Sequence, residues 1–183
     1  MHTDEFWQLY DKNGEPIPGS GWKSSRDNPN GDDTEIVGVV VIFLYKRGKD
    51  GLEFLWQRRS EGVSRYPGDY DISAGGHVNL GESLIEASIR ELQEEIGVKI
   101  TASELNFVTM RPFNKNRFAW IYAVDWTRKG NDFKFNDKEV SEVKWVKYNE
   151  MTEFREKYAK KPLKKDKLTF LALEEWLRQN GNL

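Results

Sequence analysis

The chain has 183 residues, 28 of them Lys or Arg against 30 Asp or Glu, for a formal net charge of −2. That length suits one domain with a substantial core, and a near-neutral balance argues against a general polyanion binder. With no cysteine the chain can have no disulfide scaffold, thiolate metal site or cysteine nucleophile, while 13% aromatic residues, seven of them Trp, mark a folded globule. No apolar leader follows the opening residues and no apolar run reaches about 18 residues, so a soluble cytoplasmic protein with no membrane partner is expected.

Residues 5–19 read as a hairpin, because aromatic and aliphatic residues flank Asn13-Gly14, a strong two-residue turn signal. Pro16 and Pro18 confine its second arm to an edge. Residues 19–34 are polar and turn-rich and read as a loop, which sets residues 1–34 apart as an extension and 35–183 as the main domain. Residues 36–45 form a continuous β-branched and aromatic run, the mark of a strand buried on both faces. A charged turn at 46–51 leads to a strand over 52–59 that ends in Arg58 and Arg59. A loop containing Arg65 follows over 60–68, then a short strand over 69–74.

A helix is expected from about Glu82 to Gly97. At about 100° per residue, Ile85, Ile89, Leu92 and Ile96 share one stripe, expected to face the core, with Arg90, Glu91, Glu94 and Glu95 on the other side. Glu91 with Glu94 and with Glu95 are like-charge neighbours, each pair costing roughly 0.2–0.5 kcal/mol. Glu94 and Glu95 also lie at the helix end where the macrodipole disfavours acids. Carboxylates crowded in this way suit a hard cation such as Mg²⁺ or Mn²⁺. Beyond the helix, strands are expected over 101–113, 117–126 and 142–148, and helices over 150–160 and 166–179. The last helix offers Leu168, Leu171, Trp176 and Leu177 as its apolar stripe, and the basic run 155–167 reads as a solvated face with no nucleic-acid partner expected.

The stretch 76–98 resembles the signature of the Nudix hydrolases, G-x5-E-x7-R-E-U-x-E-E-x-G-U with U a bulky aliphatic residue. Gly76, Glu82, Arg90, Glu91, Glu94, Glu95 and Gly97 fill its fixed positions, a match with chance odds of roughly 10⁻⁷. Upstream, residues 66–78 (YPGDYDISAGGHV) are similar to the FPGxWDISxxGHV segment of the branch that includes the isopentenyl-diphosphate isomerases, and residues 5–14 resemble an opening segment of that branch. The resemblance implies an α/β fold, an α/β/α sandwich around a mixed sheet, here with an N-terminal β-hairpin and C-terminal helices. It also implies metal-dependent hydrolysis of a diphosphate linkage in a nucleoside diphosphate joined to another moiety, so the expected partner is a small-molecule diphosphate; a homodimer is compatible with this reading.

By that resemblance Glu91, Glu94 and Glu95 are metal ligands, with the carbonyl of Gly75 or Gly76 as a backbone ligand, Glu82 as a secondary one and Arg90 orienting Glu91. The general base in such proteins is a carboxylate of the helix or a glutamate of a later loop, which puts Glu91, Glu94 and Glu139 forward, Glu139 ahead of Glu142. Arg58, Arg59 and Arg65 are candidates to contact the diphosphate. Phe113, Trp120 and Tyr122 are candidates to stack a base, with a core role the commoner one for strand aromatics. His77 is expected to make a backbone hydrogen bond. Two other functions stand beside hydrolysis: isomerisation, for which Ser73 or Ala74 occupies the place of the required cysteine, and nucleotide sensing without catalysis, which a lost signature glutamate would favour.

Overall fold

The computed structural model describes residues 6–23, 36–114, 116–136 and 138–183. Among these, nine strands form one mixed sheet around β3 (Ile36–Gly48). β3 lies parallel to β8 (Arg117–Asp125) from Val37–Arg117 to Tyr45–Asp125. Its other edge is shared in turn by β1 (Phe6–Tyr10), β6 (Ala74–His77) and β4 (Gly51–Arg59). β4 then carries the two-residue β5 (Tyr70–Asp71) beside it and β9 (Val140–Lys147) on its far edge, and β7 (Asn106–Asn114) pairs with β8. The buried run expected over 36–45 is thus the central strand.

The hairpin of β1 and β2 (Pro16–Lys23) has β2 on the sheet edge, where Pro16 and Pro18 leave no ladder donor missing inside the sheet. β2 extends into what reads in sequence as the 19–34 loop; residues 24–34 of that loop lie outside the described residues. The hairpin also fixes the approach to the helix. Gln8 N donates to Val78 O at 2.8 Å, Leu80 N to Phe6 O at 2.7 Å, and Gly81 N to the Gln8 side chain at 3.2 Å.

β3 and β4 pair only at their hairpin end and then part, with β6 and β5 filling the gap. Ser73 holds the parting point. Its fully buried hydroxyl accepts from Leu44 N at 2.8 Å and donates to Leu55 O at 2.7 Å, joining the two strands. Ser73→Ala leaves a buried N–H and a buried C=O unpaired, so chemical denaturation is expected to show a loss of about 2 kcal/mol.

Among the described residues, four helices cover the sheet: α1 (Leu84–Ile96), α2 (Met151–Tyr158), α3 (Lys161–Lys165) and α4 (Lys167–Gln179). Ala87, Leu92 and Ile96 of α1 join Val40, Ile42, Leu55 and Trp120 in one core. Phe154, Leu163, Phe170, Leu173 and Leu177 pack with Phe43, Phe54 and Trp56 in a second. Two cores separated by a sheet make the sandwich expected from the sequence. No helix among the described residues is long and apolar enough to cross a membrane.

Two helices are rotated from the expected orientation. In α1, Ile85 is 42% exposed and Ile89 only partly buried, while Ala87, Ser88, Glu91 and Glu95 turn inward with Leu92 and Ile96. Two of the six buried residues of α1, Glu91 and Glu95, are therefore acidic. In α4, Leu168 and Leu171 are exposed and the i, i+3, i+7 set Phe170, Leu173 and Leu177 is buried. Arg111 of β7 sets that rotation by donating to Asp166 at 2.6 Å and to Thr169 at 2.7 Å in the first turn. The 155–167 run is not uniformly solvated either, because Arg155 is buried with its guanidinium 4.4 Å from the Phe170 ring centre.

Ser83 caps α1 and forms a capping box with Glu86, and Gly97 ends the helix at φ 70°. A Cβ on Gly97 would lie 2.6 Å from Lys134 O, so Gly97→Ala combines a left-handed backbone with a backbone clash. A loss of about 2 kcal/mol in denaturant unfolding is expected.

Candidate active site

The inward face of α1 meets the glycine pair of β6. Gly76 leaves room for Glu91 there: a Cβ would stand 2.1 Å from Glu91 Oε1 and displace that carboxylate. Gly75 N donates to Glu95 Oε2 at 2.9 Å, and Gln57 Nε2 donates to the same oxygen at 3.1 Å. Glu91 and Glu95 are nearly buried whereas the Glu94 side chain is half exposed. Burial raises the Glu91 carboxyl to about 7, with Arg90 opposing the rise, and burial together with the Glu91 charge raises Glu95 well above the usual carboxylate range.

Arg90 is the hub of the acidic cluster. Its guanidinium donates to both Glu82 oxygens at 2.8 and 2.9 Å, to Glu91 at 2.7 Å, to Glu94 at 3.0 Å and to the His77 carbonyl at 2.9 Å. Glu82, the expected secondary metal ligand, accepts from Arg90 and from the Asn79 N–H and does not line the cleft.

A cleft of about 540 Å³ opens over this face. Gly75, Gly76, His77, Arg90, Glu91, Glu94 and Glu95 line it together with Arg59, Asp71, Glu139 and Lys160, and the hairpin contributes Trp7. Lys160 is ion-paired with Asp71, and an Arg59 guanidinium nitrogen lies 3.8 Å from the same carboxylate. Four residues of the cleft, Asp71, Lys160, Trp7 and Asn79, escape sequence reasoning, as does Gln57, buried behind Glu95. Strand periodicity carried a signal for Gln57, which shares a face of β4 with Arg59.

Arg58 does not line the cleft; it donates to Gly68 O at 3.0 Å and to Glu61 at 3.2 Å, anchoring the 60–68 loop. Arg65 lines a neighbouring cavity rather than the cleft, with Phe113 in the same wall. Trp120 and Tyr122 are buried in the core, where Trp120 lies against Tyr10. Of the two loop glutamates, Glu139 lines the cleft, while Glu142 is hydrogen-bonded by the Tyr70 hydroxyl. His77 stacks on Trp7 with ring centres 3.6 Å apart and its buried Nε2 has no hydrogen-bond partner; burial lowers its pKa to about 3, so the ring is neutral.

Among the described residues, no three His, Cys, Asp or Glu side chains are grouped tightly enough to hold a metal ion as they stand. The reason is local. Arg90 draws Glu91 and Glu94 to itself, and Gly75 and Gln57 hold Glu95. The donor set nevertheless fits a hard divalent cation: carboxylate oxygens without nitrogen or sulfur, two of them buried and mutually repelling, beside a glycine cradle that leaves Glu91 room.

Residues 34–170 match the NUDIX domain model. Over 136 residues the chain is 32% identical to the uncharacterized Nudix hydrolase YfcD of Escherichia coli, covering 72% of this chain and 69% of that protein. It is also 32% identical to Nudix hydrolase 3 of Arabidopsis thaliana over 152 residues, 75% of this chain but only 19% of that longer protein. Among solved structures, DR0079 of Deinococcus radiodurans superposes with a TM-score of 0.66 at 25% identity, covering 93% of this chain and 98% of that one. A family model spanning most of the chain, a relative matched over two thirds of its length and a shared fold lead to one assignment: the chain belongs to the Nudix hydrolase family.

Proposed function

We propose that this chain hydrolyses the diphosphate linkage of a nucleoside diphosphate joined to another moiety, with Mg²⁺ or Mn²⁺ held by Glu91, Glu94, Glu95 and the carbonyl of Gly75 or Gly76. The observation that carries this reading is the pair of buried, mutually repelling carboxylates against a glycine cradle, inside a cleft that also contains Arg59 and Lys160. A cation held there would supply charge neutralisation at the diphosphate oxygens and Lewis acidity toward water. Arg90 holds Glu91 and Glu94 in place. Arg59 and Lys160 orient and neutralise the substrate's phosphates. Glu139 takes the proton of the attacking water, whose oxygen bonds to one phosphorus as the bridging oxygen leaves with the other.

Isomerase chemistry is disfavoured even though the upstream segment resembles that branch. Its acid/base cysteine would have to stand at Ser73 or Ala74, and both are fully buried, Ser73 engaged in joining β3 to β4. The test is a panel of nucleotide sugars, dinucleotides and nucleoside polyphosphates with Mg²⁺ or Mn²⁺, scored by released phosphate and nucleotide. Turnover that vanishes in chelator, and an absence of turnover of isopentenyl diphosphate, are the expected results. Full activity in chelator would sink the metal assignment, and efficient isomerisation would sink the hydrolase reading.

A further inference from the structure

Next to the carboxylate cleft lies a second cavity of about 630 Å³. The two share Arg59 and Lys160, so a ligand that reaches the acidic cleft past these cations extends directly into the second space. The further cations of this cavity come from separate parts of the chain: Arg65 from the 60–68 loop, Arg117 from the start of β8, and Lys165 and Lys167 from the α3–α4 junction.

The one acid among the described lining residues, Asp166, is already bound by Arg111 and Thr169. Among the described residues Arg65, Arg117, Lys165 and Lys167 take part in no ion pair. Arg117 is half-buried, and burial first and then the Arg65 guanidinium lower its pKa, so two like charges face each other there without a counter-ion. Folding has collected these cations in a concave wall where repulsion opposes them. Guanidinium groups so placed match phosphate oxygens in a bidentate manner, and the lysines add point charges. Phe113 and the exposed Leu168 supply an apolar edge for the carbon scaffold that bears the phosphate.

We propose that this second cavity is the specificity subsite of the cleft and takes a further phosphate group, one carried by the substrate beyond the diphosphate that is cut. The ordering of the two sites along one substrate rests on the hydrolase reading above. The presence of a phosphate site does not.

The test uses full-length protein and two kinds of measurement. In the first, kcat/KM is determined for pairs with the same scissile linkage and one phosphate of difference: NADPH against NADH, and coenzyme A against dephospho-coenzyme A. The phosphorylated member of at least one pair is expected to be preferred by about tenfold or more, through a lower KM, and Arg65→Ala/Arg117→Ala is expected to bring the ratio to about one. In the second, inorganic tripolyphosphate is titrated calorimetrically into metal-free protein. The double variant is expected to bind at least about tenfold more weakly, and so is Lys165→Glu/Lys167→Glu, whose exposed side chains make misfolding a poor explanation. Equal kcat/KM within both pairs, or tripolyphosphate binding that neither variant weakens, overturns the subsite. Should no compound be hydrolysed, the hydrolase reading fails by itself and the titration still decides whether the cavity is a phosphate site.

Discussion

Glu95→Gln is expected to lower metal-dependent turnover by about 10²- to 10⁴-fold while the metal-free protein stays folded and becomes less sensitive to pH. The loss follows from removing one anionic ligand at the point where charge develops, a change of several kcal/mol at about 1.4 kcal/mol per decade. The gain follows from the site itself. Glu95 is buried with Glu91 close by, and both carboxyl groups are raised, Glu91 to about 7. An acid raised in the folded state stabilises the fold fully below its unfolded pKa, and that contribution is lost as pH rises through the folded value. The metal-free wild type should therefore lose Tm between about pH 5 and pH 8, and saturating Mn²⁺ should restore it at the upper end. Glutamine keeps an acceptor for the Gly75 N–H, which flattens the pH profile and abolishes most of the Mn²⁺ effect. Glu94→Gln should lose activity similarly without flattening the profile, because its side chain is half exposed. Activity retained by both variants, or a Tm indifferent to Mn²⁺ in wild type, would refute the proposed ligand set.

The fold was legible to the extent that local pattern decides it. The apolar run of β3, the β1–β2 hairpin and the approximate extent of α1 can all be read from neighbouring residues, although the hairpin closes over Asp11–Gly14 and not as a two-residue Asn13-Gly14 turn. Rotation about a helix axis is a different matter, because it depends on what the helix meets. The stripe of Ile85, Ile89, Leu92 and Ile96 was the apolar choice for the core face of α1. Gly75 and Gly76 allow so close an approach that Glu91 and Glu95 turn inward and Ile85 turns out. In α4 the clamp from Arg111 likewise overrides the Leu168 and Leu171 stripe. The candidate site was legible in its signature residues, which are contiguous, and poorly legible in the opposite wall. Asp71, Lys160 and Trp7 lie far apart in sequence, and only the splayed strands and the docked hairpin bring them to one cleft.

Arg90→Ala should be more damaging to the fold than any of the glutamate exchanges, at about 3 kcal/mol, or a fall in Tm of roughly 6–12 °C for a domain of this size. One guanidinium satisfies Glu82, Glu91, Glu94 and the His77 carbonyl. Its removal leaves a nearly buried carboxylate and a part-buried carbonyl without their donor, and it releases the loop end that Glu82 ties to the helix. The Arg90 side chain is 25% exposed, which keeps the figure at the lower end for a broken buried pair. Arg90→Lys should recover only part, since a single ammonium cannot span acceptors on both sides of a planar fork. Arg90 pairs with Glu91 and Glu94, and a divalent cation held as proposed would neutralise the same two carboxylates. Loss of one should therefore raise the stabilisation obtained from the other: the Tm increment on saturation with Mn²⁺ is expected to be larger in Arg90→Ala than in wild type. An increment equal to or smaller than that of wild type would mean that the cation does not share these carboxylates with Arg90, and the ligand assignment of Glu91 would have to be given up.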